Sequence, residues 1–349
     1  MNENFSEAEF AILRSRIRVY AISDQDDTSE WIRNNWPDIF YIASIHAFGH
    51  YTIATWTGMW EGLQHLSVDK VSMPWIHEYI KMGPLGERYP SRDIGAEGDT
   101  PSFLYLINNG LGDPEHPTYG SWGGRYERTN AGLERFSDLV ETFYLKNGTQ
   151  ETSTKVSCAR WRDHFQNDMA TRMQWSISPD YTNGTHPPVP RVNGTAGPTV
   201  HRLHAVPGAE IILDASETYD PDHPADSSKL EFEWFQYREP DYVVHVNPAE
   251  GRILKLEGLG SGAETPNVSE PNDEGFRYFA RGDAVRVTLP NDEDAFEYHL
   301  ILKVTSNNNP ELPVRRYLRV IILASTDQID PAECCDAMVM PTHTVEEWE

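Results

Sequence analysis

The apolar pattern of this sequence changes period near Asn183, and that change divides what the chain can fold into. Ahead of it, short apolar runs alternate with segments of helical spacing. Beyond it, Glu210 to Ala215 (EIILDA), Leu230 to Tyr237 (LEFEWFQY), Tyr298 to Thr305 (YHLILKVT) and Tyr317 to Leu323 (YLRVIIL) alternate or run apolar between turn clusters. A period of two marks strands that bury one face, and several in succession with no helix between them predict an all-β sandwich. Residues 183–199 hold two Asn-Gly-Thr turns and several prolines, which is the chemistry of a linker. The expected organisation is a first domain over 1–182, a linker over 183–199, a sandwich over 200–325 and an acidic tail over 326–349. Two domains fit a chain of 349 residues at roughly 150 residues per domain.

The first domain reads as α/β. Arg16 to Ile22 (RIRVYAI) is a β-rich run that ends in Ser23-Asp24-Gln25-Asp26-Asp27. Thr28 to Asn35 is long enough for two helical turns, with Asp27 or Thr28 as N-cap, and Pro37 stops it. Ile39 to Ala43 (IFYIA) is a second buried strand. Strand, helix and strand within about 30 residues form a βαβ unit, so a parallel sheet is expected. Further helices are expected over Pro74 to Met82, Pro101 to Asn109 and Arg160 to Trp175. On the last, Trp161, Phe165, Met169 and Met173 or Arg172 share one face and read as core packing.

Charge narrows the function classes. Lys and Arg number 29 against 54 Asp and Glu, a formal charge of −25. The basic excess that phosphate backbones demand is missing, so no nucleic-acid partner is expected. The longest apolar run, Val320 to Ala324, is far short of the roughly 20 residues that span a bilayer. No membrane partner is expected either. Met1 to Phe10 has neither the basic nor the apolar region of a secretory signal. The acidic pI of about 4.8 and ten Trp nevertheless suit an extracellular, carbohydrate-facing protein. Asn-X-Ser/Thr sequons begin at Asn4, Asn147, Asn183, Asn193 and Asn267, and the three that read Asn-Gly-Thr serve equally as turns. Cys158, Cys334 and Cys335 imply no disulfide framework.

Three stretches hold residues suited to chemistry. Asp24, Asp26 and Asp27 follow a strand at the sheet edge where open α/β folds bind ligands. Such oxygen-rich clusters suit Ca²⁺ or Mg²⁺, or else they cap the next helix. Glu97-Gly98-Asp99-Thr100-Pro101-Ser102 places Asp99 at a helix start, again as ligand or cap. Residues 108–126 (NNGLGDPEHPTYGSWGGRY) are rich in Gly and carry Asp113, Glu115, His116, Tyr119, Trp122, Arg125 and Tyr126. Aromatics flanked by polar groups suit a saccharide, and paired carboxylates suit glycosidic-bond hydrolysis; an Ω-loop packed on its own aromatics is the alternative. In the second domain Asp220-Pro221-Asp222 reads as a turn or a Ca²⁺ loop. The chain has no P-loop, HExxH or Gly-x-Ser-x-Gly motif.

Taken together, Val19 to Asp27, Ala54-Thr55-Trp56-Thr57-Gly58, Gly83-Pro84-Leu85-Gly86, Glu97 to Ile107, Asn109 to Glu127, Trp161 to Trp175, Leu213 to Ser216 and Asp220-Pro221-Asp222 resemble one family. It is that of microbial cellulose-binding proteins with a nucleoside-hydrolase-like domain followed by an immunoglobulin-like C-terminal domain. The resemblance covers nearly all of residues 10–325. It implies a partial, mostly parallel nucleoside-hydrolase-like sheet followed by an immunoglobulin-like sandwich. The implied activity is hydrolysis of an N- or O-glycosidic bond, or binding of cell-wall carbohydrate without cleavage. The implied ligand is a carbohydrate or a nucleoside-like molecule, and the implied location is extracellular. From the chemistry of the residues themselves Asp24, Asp26 and Asp27 are the candidate catalytic residues, and Glu97, His116, Trp122 and Arg125 are the candidate substrate contacts. By the resemblance Asp99 is a ligand to Ca²⁺. No Asp-rich metal loop precedes Arg16, so the expectation is the C-terminal part of a longer protein with an incomplete Ca²⁺ shell.

Overall fold

The computed structural model describes residues 5–22, 27–44, 63, 65–90, 100–129, 134–240, 252–267, 269–291 and 296–326. The βαβ unit is present: α1 (Glu7–Ser15) leads into β1 (Arg18–Ile22), α2 (Asp27–Asn35) and β2 (Phe40–Ser44). Strands β1 and β2 pair in parallel, with Arg18 opposite Phe40 and Ile22 opposite Ser44. β4 (Arg135–Asp138) joins β2 in parallel and β3 (Tyr126–Arg128) pairs antiparallel with β4, giving the order β1-β2-β4-β3. Neither β3 nor β4 has an apolar run long enough to announce a strand. One face of this sheet packs Phe40, Ile42, Tyr126 and Phe136 together with Tyr105. Tyr105 comes from α5 (Thr100–Tyr105), which follows α3 (Met73–Tyr79) and α4 (Gly83–Gly86). The helix expected over Pro74 to Met82 ends at Tyr79, and a separate short one opens at Gly83.

A hairpin of β5 (Glu141–Tyr144) and β6 (Gln150–Ser153) turns at Asn147-Gly148, where Gly148 has φ +85. Helices α6 (Val156–Ala159) and α7 (Arg162–Ile177) follow. The expected stripe on α7 is core: Phe165 and the adjoining Trp161 are buried, and Met169 and Met173 pack with Ile76, Ile80 and Leu312. Residues 183–199 are structured rather than extended. Asn193 (φ 48) and Gly194 (φ 81) turn a small hairpin of β7 (Arg191–Val192) and β8 (Thr195–Ala196). Two consecutive positive φ values are what a tight two-residue hairpin needs. Val192 beside that turn is fully buried.

The C-terminal region has two sheets. One runs β10 (Glu210–Asp214), β14 (Ala284–Thr288), β12 (Lys255–Leu259). The other runs β13 (Phe279–Arg281), β11 (Leu230–Gln236), β15 (Phe296–Ser306), β16 (Val314–Ala324), β9 (His201–Ala205). Leu213, Leu256, Val285 and Val287 of the first sheet share a core with Trp234, Leu302, Val320 and Ile322 of the second. The pairing is antiparallel except at the edge, where β9 runs parallel to β16 with His201 opposite Val320. One parallel pair thus closes an otherwise antiparallel region. β9 (HRLHA) is too polar and short to be read as a strand, yet it occupies an edge that would otherwise stay open.

The long strands are buried on both faces. Leu300, Leu302 and Val304 of β15, with Leu318, Val320 and Ile322 of β16, face the core between the sheets. The alternate residues include Ile301 and Tyr317, which join Phe235 and Tyr237 in a second cluster with Leu104, Leu111, Trp122, Trp161 and Phe165. That cluster belongs to both regions of the chain. The N-terminal region therefore packs on the outer face of the five-stranded sheet.

Candidate functional site

Residues 108–126 clasp strand β16. The Tyr317 amide donates to the Asn109 carbonyl at 2.9 Å. Gly110, at φ +88, lies so close that an added Cβ would stand 1.9 Å from the Tyr317 carbonyl oxygen. Only glycine fits that approach. Arg319 of β16 reaches back, donating from Nε and Nη2 to the Leu111 carbonyl at 2.8 and 2.6 Å and from Nη2 to the Tyr119 carbonyl at 2.8 Å.

This arrangement decides where the expected substrate contacts fall. Trp122 has no exposed surface and its indole N–H donates to the Tyr317 hydroxyl at 3.1 Å. Arg125 is buried and paired with the equally buried Glu141. Trp122 ties the two regions together, Arg125 serves Glu141, which in turn accepts from Tyr237, and neither presents a face to an external sugar. His116 is half-buried and stacks on Tyr119 at 4.7 Å. Glu97, Asp24, Asp26 and Asp99 lie outside the described residues, as does the side chain of Asp27, which opens α2. The expected convergence of these carboxylates around Ca²⁺ falls there too. Among the described residues no group of three or more His, Cys, Asp or Glu is placed to hold a metal ion. In the C-terminal region Asp220 and Asp222 serve a turn: they accept from Ser306, Asn308 and His186.

A polar relay crosses the seam, built from residues that no motif signalled. Tyr317 accepts from Trp122 and bonds Nδ1 of His164 on α7. The ring proton of His164 sits on Nε2, which faces a carboxylate that only accepts, so Nδ1 of the neutral ring accepts from the Tyr317 hydroxyl. Nε2 faces Glu274 Oε1 at 2.8 Å. Glu274 also accepts from Lys303 Nζ at 2.7 and 2.8 Å, and Lys303 lies 2.8 Å from Glu233 Oε1. Burial, reinforced by Arg315 and Lys303, holds His164 well below the usual imidazole range and therefore neutral. Burial opposes the charge of Lys303, but Glu233 and Glu274 outweigh it and hold its ammonium above the usual lysine range.

A second buried cluster lies beside the first. Glu141 accepts from the Tyr237 hydroxyl at 2.8 Å and lies 3.2 Å from Arg160 Nη2, besides its bond to Arg125. Burial works against its ionisation; Arg160 and Arg125 prevail and hold it below the ordinary glutamate range. Between the clusters opens a cavity of about 580 Å³ lined by His65, Phe143, Arg160, Asp163, His164, Glu274 and Arg315, among others. Its walls come from the β5–β6 hairpin, the start of α7, the 272–275 turn and strand β16. Burial opposes the charge of Asp163, yet Arg315 and Lys70 hold its carboxyl far below the usual range, so it is ionised.

The same seam gives a pH response. His299 accepts at Nδ1 from Arg319 at 2.8 Å and faces Glu297 through Nε2 at 2.9 Å. Burial lowers its pKa from 6.5 to about 4, against the pull of Glu297. A histidine depressed in the fold binds its proton more readily when unfolded, so its contribution is present above about pH 6.5 and lost as pH falls toward 4. A depression of this size corresponds to about 3 kcal/mol. Urea midpoints at pH 7.5 and 4.5 are expected to differ more in the wild type than in His299→Gln, and equal differences would show that His299 does not carry this loss.

The two regions joined by this seam each match a described family. Residues 1–126 match the nucleoside hydrolase-like domain of cellulose-binding Sde182, and residues 210–324 match the C-terminal domain of cellulose-binding protein Sde0182. Both regions are thus similar to one cellulose-binding family. A solved structure also resembles it, that of a nucleoside hydrolase-related hypothetical protein from Saccharophagus degradans that is associated with carbohydrate metabolism. The two agree with a TM-score of 0.66 at 26% identity, over 93% of this chain and 66% of that one. This chain thus spans just under two thirds of that relative's length. No curated protein matches. Within the family, Arg160, Asp163 and His164 fall between the two matched stretches, whereas Glu274, Lys303 and Arg315 lie inside the second.

Proposed function

We propose that this protein binds plant cell-wall carbohydrate outside the cell. It does so as a unit made of a partial nucleoside-hydrolase-like domain over 1–182 and an immunoglobulin-like sandwich over 200–325. The observation that carries the reading is the presence of both cellulose-binding family regions in one chain. One structural feature supports it. The seam cavity, about 580 Å³ in volume, is within the range that encloses small ligands.

The alternative is glycosidic-bond hydrolysis, favoured by the description of the Saccharophagus degradans relative as nucleoside hydrolase-related. Electrophoresis through gels with and without hydroxyethyl cellulose tests the binding reading, and retardation by the polymer is the expected result. Release of p-nitrophenol from aryl glycosides, and of base from nucleosides, is measured alongside, with and without added Ca²⁺. No release is expected. Turnover that disappears in Asp99→Ala would instead make the chain a hydrolase, and unretarded migration would remove the binding reading.

A further inference from the structure

The wall of the seam cavity carries balanced charge. Arg160, Lys146 and Arg315 stand against Asp163, Asp273 and Glu274. Most of these groups already have partners: Asp163 lies 2.7 Å from Arg315, Lys146 lies 2.7 Å from Asp273, and Glu274 holds Lys303. Arg160 is paired too but keeps donors to spare. Its side chain has no exposed surface, Nη2 reaches Glu141 at 3.2 Å, Glu239 at 3.5 Å and the Thr142 carbonyl at 3.0 Å, and the guanidinium lies 4.5 Å over the Phe276 ring. Nε and Nη1 are buried with no hydrogen-bond partner among the described residues. Buried donors left unserved are costly, so an acceptor that reached them through the cavity wall would be favoured.

The nature of that acceptor follows from the remaining wall. A charged ligand would upset an even balance of ion pairs, meeting Asp163 and Glu274 if anionic and Arg160 if cationic. A neutral, hydroxyl-rich ligand both accepts from Arg160 and donates to the carboxylates. Apolar surface is at hand as well: Phe143 and Tyr144 line the cavity, and His65 stands edge-on to Phe143 at 5.5 Å. Polar edges with apolar faces are what a sugar ring offers. A further cavity of about 450 Å³ shares Asp273, Glu274 and Arg315 with the first and continues past Glu233 and Arg281. The ligand therefore has room to extend beyond one ring.

We infer that the seam cavity is a subsite for a neutral glucan chain, its walls supplied by both regions, with Arg160 as the buried donor and Phe143 and Tyr144 as the apolar contacts. The inference rests on the carbohydrate-binding reading above. It adds that neither region holds the sugar alone. Titration calorimetry with cellopentaose on the full chain tests it beside hydroxyethyl cellulose electrophoresis, using the wild type and His65→Ala/Tyr144→Ala. Those two side chains are not fully buried, and the melting temperature of the variant checks its fold. The expected result is wild-type binding that weakens at least tenfold in the variant. Hydrogen exchange on the wild type gives a readout independent of any substitution: cellopentaose is expected to slow amides in 143–147 and 272–275. Polymer retardation with unchanged variant affinity, or protection elsewhere, overturns the subsite and leaves the binding reading standing. Failure of both polymer and oligosaccharide to bind the wild type overturns both.

Discussion

Trp161→Ala is expected to lower stability by about 3–5 kcal/mol, the range for truncating a buried aromatic, and to lower it for both regions together. The side chain has no exposed surface. Its ring meets Phe276 at 5.9 Å, Tyr317 at 5.8 Å, Phe235 and Tyr237 at 6.3 Å, and His164 at 5.5 Å. Four of those five partners come from the C-terminal region, whereas Trp161 itself begins α7. The cavity left by truncation would thus open in the packing that the regions share. Calorimetric melting is the measurement. One transition, shifted down as a whole, is expected, and near-ultraviolet circular dichroism should lose signal with it. Two transitions, with only the earlier one moved, would show that the sheets fold without the helices and that the shared cluster is a weak contact.

The same packing explains what sequence could and could not disclose. The βαβ unit was legible because its signals are local: RVYAI and FYIAS each hold an apolar run, and a short helix-forming segment lies between them. Leu300, Leu302 and Val304 were legible as core because they repeat with period two. Their alternates, His299, Ile301 and Lys303, invite the opposite reading, since polar residues in an alternating strand usually face water. Here they face the N-terminal region, and what makes their burial tolerable lies far away in sequence, at Glu274 and at Arg319. Trp122 and Arg125 were misleading for a related reason. Aromatic and cationic residues in a glycine-rich loop serve a sugar site or a packed clasp with the same composition, and Gly110 against the Tyr317 carbonyl shows the clasp. Helix α7 held the one usable clue. Arg162, Asp163, His164, Gln166, Asn167 and Asp168 put polar groups all around a helix that also carries Phe165, and six such residues in its first half are at home only where partners enclose them.

Lys303→Met is expected to cost about 3–5 kcal/mol near neutral pH, because removing one member of a buried ionic network strands the charges of the others. The ammonium stands 2.7 Å from Glu274 and 2.8 Å from Glu233, in a site where Glu274 has only 2% of its side chain exposed. Without Lys303, Glu233 keeps Asn272 at 2.8 Å and Arg281 at 3.4 Å, but Glu274 is left with a neutral His164. Burial beside a second carboxylate then raises the pKa of Glu274 in the folded variant above its value in the unfolded chain. A group raised in this way contributes its full stability below the unfolded pKa and loses it as pH rises through the folded one. The deficit of Lys303→Met relative to wild type should therefore be largest at pH 7.5 and shrink toward pH 5. The His299 loss is common to both proteins and cancels in the difference, whereas His164, freed of the Lys303 charge, loses less on acidification in the variant and adds to the same trend. Urea unfolding at the two pH values measures it, with Lys303→Met/Glu274→Gln as the companion that removes the stranded charge. The companion should recover part of the loss at pH 7.5 and show a smaller change of deficit with pH. A deficit that is the same at both pH values in Lys303→Met, and unaltered by Glu274→Gln, would mean that Lys303 stabilises the seam through the packing of its methylene chain and not through the carboxylates it bridges.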